Sequence, residues 1–467
     1  MGEPMEHRSV AVIGGGVTGL VAAERLTARG AQVVVFDAAD RLGGQVETVR
    51  VADRWVDVGA ESLHTSAPAV RELLRRLGMV DRLVTAAPSS AWIWVRQAMH
   101  RVPDGVGPVG PTKLGPVLRS GVLSASGMVR AAIEPIARRH RDGDDVSVGD
   151  FITRRFGHQV TERFVDPLLG NLHSGDVNRL SLQAVAPQVA SLAEHHRSIL
   201  LAHRARRDAP SPHFGTFPEG LQELVGRLAQ VSGAEIHLSA PVWKLVPSGR
   251  RWRVMGSPDD VLAEVDAVVV AVPGQVASAI LPPELGSVAT VLRGVRTASV
   301  ATAIVPYPVD SVSGLPAFDA TGLLVPSGAG LTLKAATFLS RKWPHLDPAD
   351  RVLVRLAAGR LGDGAVTELS DDELIGRMLG DFAAITGVSV APSEVRLRRW
   401  REALPQLEVG HLGRVAQARE VLRDRHPGLV LAGAAPDGPG LAACIRSGEQ
   451  AAAEIGHLLA AASGVAG

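Results

Sequence analysis

Three glycines and one acid carry the strongest chemical signal in the chain. Gly14, Gly16 and Gly19 fit G-x-G-x-x-G, and Asp37 follows 18 residues after the last of them. This spacing suits a pyrophosphate-containing dinucleotide. Gly14 permits the tight turn, Gly16 lets the phosphates approach the backbone, and Gly19 lets a helix lie close to a strand. A helix beginning there offers unpaired N–H groups and a partial positive charge. Asp37 can then accept hydrogen bonds from ribose hydroxyls. The elements needed to position these groups are readable around them. Ser9 to Ile13 is a short apolar run of the kind buried on both faces in a parallel sheet. Leu20 to Arg29 has helical spacing, and Gln32 to Phe36 is a second strand ending at the acid.

A second glycine pair follows at once. Arg41, Gly43 and Gly44 come directly after Asp37-Ala38, and Gly59-Ala60-Glu61 follows another strand. A nicotinamide domain would continue into further βαβ units, whereas here the chain returns to the pyrophosphate and Arg41 can add charge. The pattern resembles that of the amine-oxidase and protoporphyrinogen-oxidase flavoproteins, where this stretch lies along FAD. Near the other end, Asp437-Gly438-Pro439-Gly440-Leu441-Ala442-Ala443-Cys444-Ile445 resembles the C-terminal flavin motif of protoporphyrinogen and coproporphyrinogen oxidases. Asp166-Pro167-Leu168-Leu169, Ser340-Arg341-Lys342-Trp343 and Trp400-Arg401-Glu402-Ala403-Leu404-Pro405-Gln406 look like family motifs in family order, so the likeness spans nearly the whole chain.

The resemblance implies an FAD-dependent oxidase of the coproporphyrinogen III type, in which a porphyrinogen gives up hydride to flavin and O2 is reduced to peroxide. It further implies cofactor contacts at Gly14, Gly16, Gly19, Asp37, Ala38, Arg41, Gly43, Gly44, Gly59, Ala60, Glu61, Val242, Gly433, Gly440, Leu441 and Ala442. The chain departs from the family where selectivity lies. Asn171 stands for a glycine, His173 for an aromatic, Leu407 for Tyr or Phe, Ala434 for Asn and Ala442 for Pro. These departures keep a second reading open: a diverged flavin oxidase or desaturase acting on a smaller cyclic or amine substrate. A third is a protein that binds flavin or porphyrin without turnover.

For the substrate side, Asn171 and His173 are pocket candidates or else helix-end and packing residues. Lys342 and Arg401 are candidates for holding carboxylates or else solvated charges. No catalytic residue is assigned, because hydride loss to a cofactor asks the protein mainly to orient and desolvate. Cys444 is either a redox thiol at a helix start or a small packing residue.

Composition bounds the remainder. The 467 residues are 46% hydrophobic and carry 49 basic against 48 acidic side chains, a net charge of +1. That excludes disorder and leaves no positive excess for nucleic acid. One cysteine excludes a disulfide framework and a cysteine-based zinc site, and no metal is expected. No leader and no membrane-spanning run are expected, so a cytoplasmic protein with at most peripheral membrane contact follows. The Pro- and Gly-rich stretch 103–127 is the place for such contact, the alternative being a solvated loop. The fold expected is α/β. A discontinuous Rossmann-like FAD domain comprises 1–85, 213–285 and 425–467. A helical insertion spans 86–212, and a substrate domain with a mixed sheet spans 286–424. Oligomeric state is open.

Overall fold

The computed structural model describes residues 8–88, 91–136, 145–205, 214–347 and 350–464. The domain boundary expected at 212/213 lies outside the described residues.

Five short strands make a wholly parallel sheet. Its order is Glu235–His237, Gln32–Phe36, Ser9–Ile13, Ala267–Val270 and Leu429–Leu431. Ser9–Ile13 and Ala267–Val270 occupy the middle, and their β-branched side chains are buried on both faces as a parallel sheet requires. One face packs on the helices Val17–Thr27 and Leu441–Gly464 through Ala22, Ala23, Leu26, Ala452 and Ile455. A β-carbon at Gly448 would overlap the Thr18 carbonyl oxygen, so glycine lets these two helices touch. The other face carries an antiparallel three-stranded sheet, Lys244–Ser248, Arg251–Ser257 and Asp260–Val265, with the helices Gly274–Ile280 and Gly286–Arg293. The cofactor sheet is therefore assembled from both ends and the middle of the sequence. The run Val265 to Val272, which reads as one buried strand, is split at Asp266. Val265 closes the antiparallel sheet and Ala267 opens the parallel one, while the Asp266 carboxylate accepts from the Ser9 N–H and hydroxyl.

A seven-stranded mixed sheet forms the second half. Its order is Arg396–Pro405, Thr297–Pro308, Arg351–Ala358, Leu333–Phe338, Gly322–Leu324, Ala91–Val95 and Ala98–Arg101. The last two strands come from the stretch expected to be a helical insertion. The alternation in Ala-Trp-Ile-Trp-Val sends Trp92 and Trp94 to one core and Ile93 and Val95 to another, a period of two that only a strand satisfies. One face is sealed by the helix Asp371–Thr386, held by a Ser370–Glu373 capping box and ended at Gly387 with φ 80°. Helices between 114 and 205 pack around Phe151, Phe156 and Phe164. Within them Thr161–Gly170 is π-helical and contains Pro167, a local widening common at functional sites. Among the described residues no helix is long and apolar enough to cross a membrane.

Candidate functional site

A cleft of about 370 Å³ opens at the carboxyl ends of the parallel strands, where open α/β sheets bind ligands. Gly14, Gly16, Asp37, Ala38, Gly43, Gly44, Ala60, Val242, Gly433 and Leu441 all line it. Local geometry explains the glycines. Gly14 has φ 109°, and a β-carbon on it would overlap the Ala271 carbonyl. A β-carbon on Gly16 would meet no protein atom within 4 Å: it would stand in the cleft, where a phosphate needs the room. The helix that starts at Val17 has no side-chain cap, so its first N–H groups remain for a ligand. Gly43 and Gly44, at φ 109° and 58°, fold the loop back onto this turn, and the Gly43 N–H donates to the Gly15 carbonyl. The cradle fits a pyrophosphate.

Gly19, Arg41, Gly59, Glu61, Gly440 and Ala442 are not among the residues lining the cleft. Gly19 packs under the turn, where a β-carbon would overlap the Gly14 carbonyl oxygen. Arg41 turns inward: its guanidinium donates to the carbonyls of Leu42, Gly44 and Val46 and pairs with Glu47. It shapes the Gly43–Gly44 loop rather than adding free charge. Gly59 is wedged against the Gln45 carbonyl. Ala442 packs with Leu20, Val21 and Ile445, and nothing lies within 4 Å of a β-carbon at Gly440. Asp37 accepts from the N–H groups of Gly15 (2.6 Å) and Ala39 (2.8 Å), which fixes its carboxylate at the strand end. Cys444 lines the cleft, and burial pushes its thiol up to about 11, which keeps it protonated at pH 7.

Glu61 forms the hinge between the two halves. Its carboxylate takes Lys342 on one oxygen and Arg355 on the other, the latter at 2.8 Å, while Arg355 also donates to the Gly59 carbonyl at 2.7 Å. Burial opposes ionisation of Glu61, but the two cations outweigh it and hold the carboxyl down at about 2. Lys342 is thus already engaged. Close by, burial pushes Asp57 up to about 7 despite hydrogen bonds from Thr48 and the Leu221 N–H.

The remaining substrate-side candidates are scattered. The Asn171 amide donates to the carbonyls of Val325 and Lys334, at 2.9 and 2.8 Å. His173 has a buried Nδ1 without a partner, and burial drops its imidazole to about 4, so it is neutral at pH 7. Its carbonyl accepts from Gln406, next to the cleft-lining Pro405. Leu407 is buried beside Gly438. Arg401 is exposed on the edge strand of the seven-stranded sheet.

Sequence reasoning missed the sheet face opposite the sealed one. Alternation sends Val352, Val354 and Leu356 into the core and turns Arg355 and Ala357 the other way. With Val300, Ala335 and Thr337 these form a half-buried floor of mostly small side chains, anchored by Arg355 to the Gly59–Glu61 strap that borders the cleft. An arginine in the middle of the apolar run Val352 to Ala358 was the available signal. Also missed were Thr297, Glu402, Ala403 and Pro405, through which the second sheet reaches the cleft.

A parallel-sheet nucleotide cleft facing a second, half-open sheet defines a cofactor-dependent oxidoreductase. The family model for flavin-containing amine oxidoreductases matches residues 17–456, and the chain belongs to that family; its cofactor is FAD. It is 30% identical to the coproporphyrinogen III oxidase of Bacillus subtilis, over 96% of this chain and 97% of that protein. Against the coproporphyrinogen III oxidase of Mycobacterium leprae the identity is 33%, over 96% and 98%. A solved Exiguobacterium structure assigned as a protoporphyrinogen oxidase superposes with a TM-score of 0.87 at 27% identity, covering 97% of this chain and 99% of that one.

Proposed function

We propose that the protein is an oxygen-dependent coproporphyrinogen III oxidase. The observation that carries this reading is the end-to-end match to proteins of that name, with both halves of the site included. The half-buried floor of mostly small side chains supports it, since a broad macrocycle needs an apolar surface without bulky projections. FAD, when bound, supplies the hydride acceptor, and O2 takes the electrons onward as peroxide. Loss of six hydrogens from the macrocycle corresponds to three such turns.

The chain's own residues then bind and orient. The Gly14–Gly19 turn, with the helix start at Val17, and the Gly43–Gly44 loop are assigned to the pyrophosphate, and Asp37 to the ribose. Arg355 and Lys342 hold Glu61, and with it the Gly59–Ala60 backbone, at a fixed height over the floor. Covering the floor with substrate expels water from the face where hydride leaves, and the proton of a pyrrole N–H is released from the same ring. Purified yellow holoprotein should convert coproporphyrinogen III to its fluorescent porphyrin faster than autoxidation, with peroxide formed in proportion. Bound FAD with no acceleration would reject the substrate.

A further inference from the structure

Lys334 stands apart from every other lysine in the molecule. It is 6% exposed, and it is the extra residue of a bulge, because the pairing between Leu333–Phe338 and Arg351–Ala358 slips between Leu333 and Ala335. Bulges re-aim a side chain and are enriched beside active sites. Leu333 enters the sealed core, while Ala335 lies half-buried on the floor. Between them, the Lys334 ammonium reaches the 171–174 segment, donating to the Ser174 hydroxyl and, at 3.4 Å, to the Asn171 carbonyl. The backbone is fixed as well: the Lys334 carbonyl accepts from the Asn171 amide and from the Val325 N–H. Ser174 follows His173, whose carbonyl holds Gln406 beside the cofactor cleft.

An ammonium has three donors, and two are used. Among the described residues no carboxylate pairs with it. The neighbouring cation is in the same condition. Arg360 donates to the carbonyls of Val325 and Leu331; among the described residues its buried Nε has no partner and no carboxylate lies within ion-pair distance, although Asp166 and Asp363 act on it from further off. Arg355 is close enough to act on Lys334, and Glu61 compensates that charge only together with Lys342. A buried cation without a counter-ion is destabilising, and a ligand carboxylate would supply the missing charge.

We infer that Lys334 is a specificity-determining anchor for a substrate carboxylate, with Ser174 and the Asn171 carbonyl fixing its ammonium beside the bulge that adjoins the floor. This rests on the proposed function, which supplies a macrocycle bearing several carboxylates. It also gives Asn171 a different part from direct contact, since its amide fixes the lysine's backbone. The groups facing Lys334 are Arg360 and Arg355, whose charges oppose its own, Asp363, which favours it, and His173, neutral in the working range. Burial, reinforced by the two arginines, brings the ammonium down to about 7. A carboxylate anchor of this kind works when protonated and fades as pH rises through 7. Asp57 titrates in the same range and faces Thr48, Thr216, Glu61 and Arg355, and it is the comparison with Lys334→Arg, in which Asp57 is unchanged, that separates the two.

The test is binding of coproporphyrin III, and of its uncharged tetramethyl ester, to the holoenzyme of wild type, Lys334→Met and Lys334→Arg. At pH 6.5 Lys334→Met should weaken the tetra-acid about 30-fold and leave the ester unchanged, while Lys334→Arg keeps the tetra-acid. In wild type, affinity for the tetra-acid should fall above pH 7; in Lys334→Arg that fall should vanish, because guanidinium stays charged. Equal losses for acid and ester, or none, would overturn the inference. Should Lys334→Met not yield folded holoenzyme, the pH limb decides, and coincident limbs for wild type and Lys334→Arg overturn it. Wild type that takes up neither coproporphyrin nor coproporphyrinogen overturns the proposed function, and the anchor falls with it.

Discussion

The two halves of the site are built from different materials. The parallel-sheet cleft presents main chain: bare glycines, uncapped helix N–H groups and one carboxylate already held by two amides. The seven-stranded sheet presents side chains brought together from distant parts of the sequence, with Glu61 from one half gripped by Lys342 and Arg355 from the other. A main-chain site depends on which residues are missing their side chains. A side-chain site depends on which charges find partners. The first should therefore fail by steric intrusion and the second by electrostatic imbalance.

The sharpest way to break that contrast is at the turn. Gly19→Val places atoms on the Gly14 carbonyl, and we expect protein recovered without flavin. Gly16→Ala is the informative companion, because its methyl meets nothing of the protein within 4 Å. Unfolding free energy without flavin should stay within about 0.5 kcal/mol of wild type. The dissociation constant for FAD should rise at least about tenfold, or ~1.4 kcal/mol. Equal flavin affinity in Gly16→Ala would show that the cradle does not close on phosphate.

The second test moves to the charged strap. Arg355→Leu removes the bonds to Glu61 and to the Gly59 carbonyl and leaves a buried carboxylate with one cation. Breaking such a pair costs about 3–5 kcal/mol, readable by urea unfolding. Its pH signature follows from the depressed carboxyl. In wild type the pairing of Glu61 stabilises fully above its ordinary value of 4.5, and that stability is lost as pH falls toward about 2. In the variant the acid limb should begin at higher pH. A cost under about 1 kcal/mol with an unmoved limb would mean that Lys342 alone balances Glu61.

The same division governs what could be read from sequence. The glycine turn, its strands and Asp37 are contiguous, so spacing alone located them, and all of Gly14, Gly16, Asp37, Gly43 and Gly44 line the cleft. Val242, Gly433 and Leu441 do so as well, although they come from far along the chain, because local motifs mark them. Arg41 and Glu61 sit where expected in the chain, yet their charges go to protein partners. A charged residue's destination is decided by what folding sets opposite it, and one-dimensional spacing holds no record of that. Ala91–Val95 shows the same limit for the fold: it belongs in sequence to the stretch that leads into the helices from 114 onward, and it pairs with Gly322–Leu324, more than 200 residues away. The bulge at Lys334 leaves no trace in its own segment, since it exists only relative to the neighbouring strand.

A smaller effect tests the buried acid behind the strap. Burial raises Asp57 from 3.8 to about 7. A raised folded value means that its contribution is fully present below 3.8 and lost as pH climbs through about 7. Asp57→Asn keeps the acceptor for Thr48 and Leu221 and should therefore gain on wild type in melting temperature between pH 5 and pH 8.5, even where its absolute value starts lower for want of the bond from Thr216. The comparison must be a difference, because Lys334 has the opposite sign: its depressed ammonium favours the fold increasingly as pH rises from 7. A pH-independent difference between the two proteins would place the titration elsewhere.

The smallest effect expected is at His173, where the two halves nearly meet. Its ring is neutral and its Nδ1 is buried without a partner, a group that costs about 1–3 kcal/mol to leave unsatisfied. Phenylalanine matches the ring's shape and removes the orphan, so His173→Phe should raise stability by about 1 kcal/mol while the backbone bond to Gln406 persists. If His173 serves only packing, KM and kcat are unchanged. If its Nδ1 receives a pyrrole N–H, KM rises while kcat for the bound ring changes less, and the orphan in the free protein is the half of a hydrogen bond that the substrate completes. Lower stability of His173→Phe, with unchanged kinetics, would contradict both and show that the imidazole is already paired.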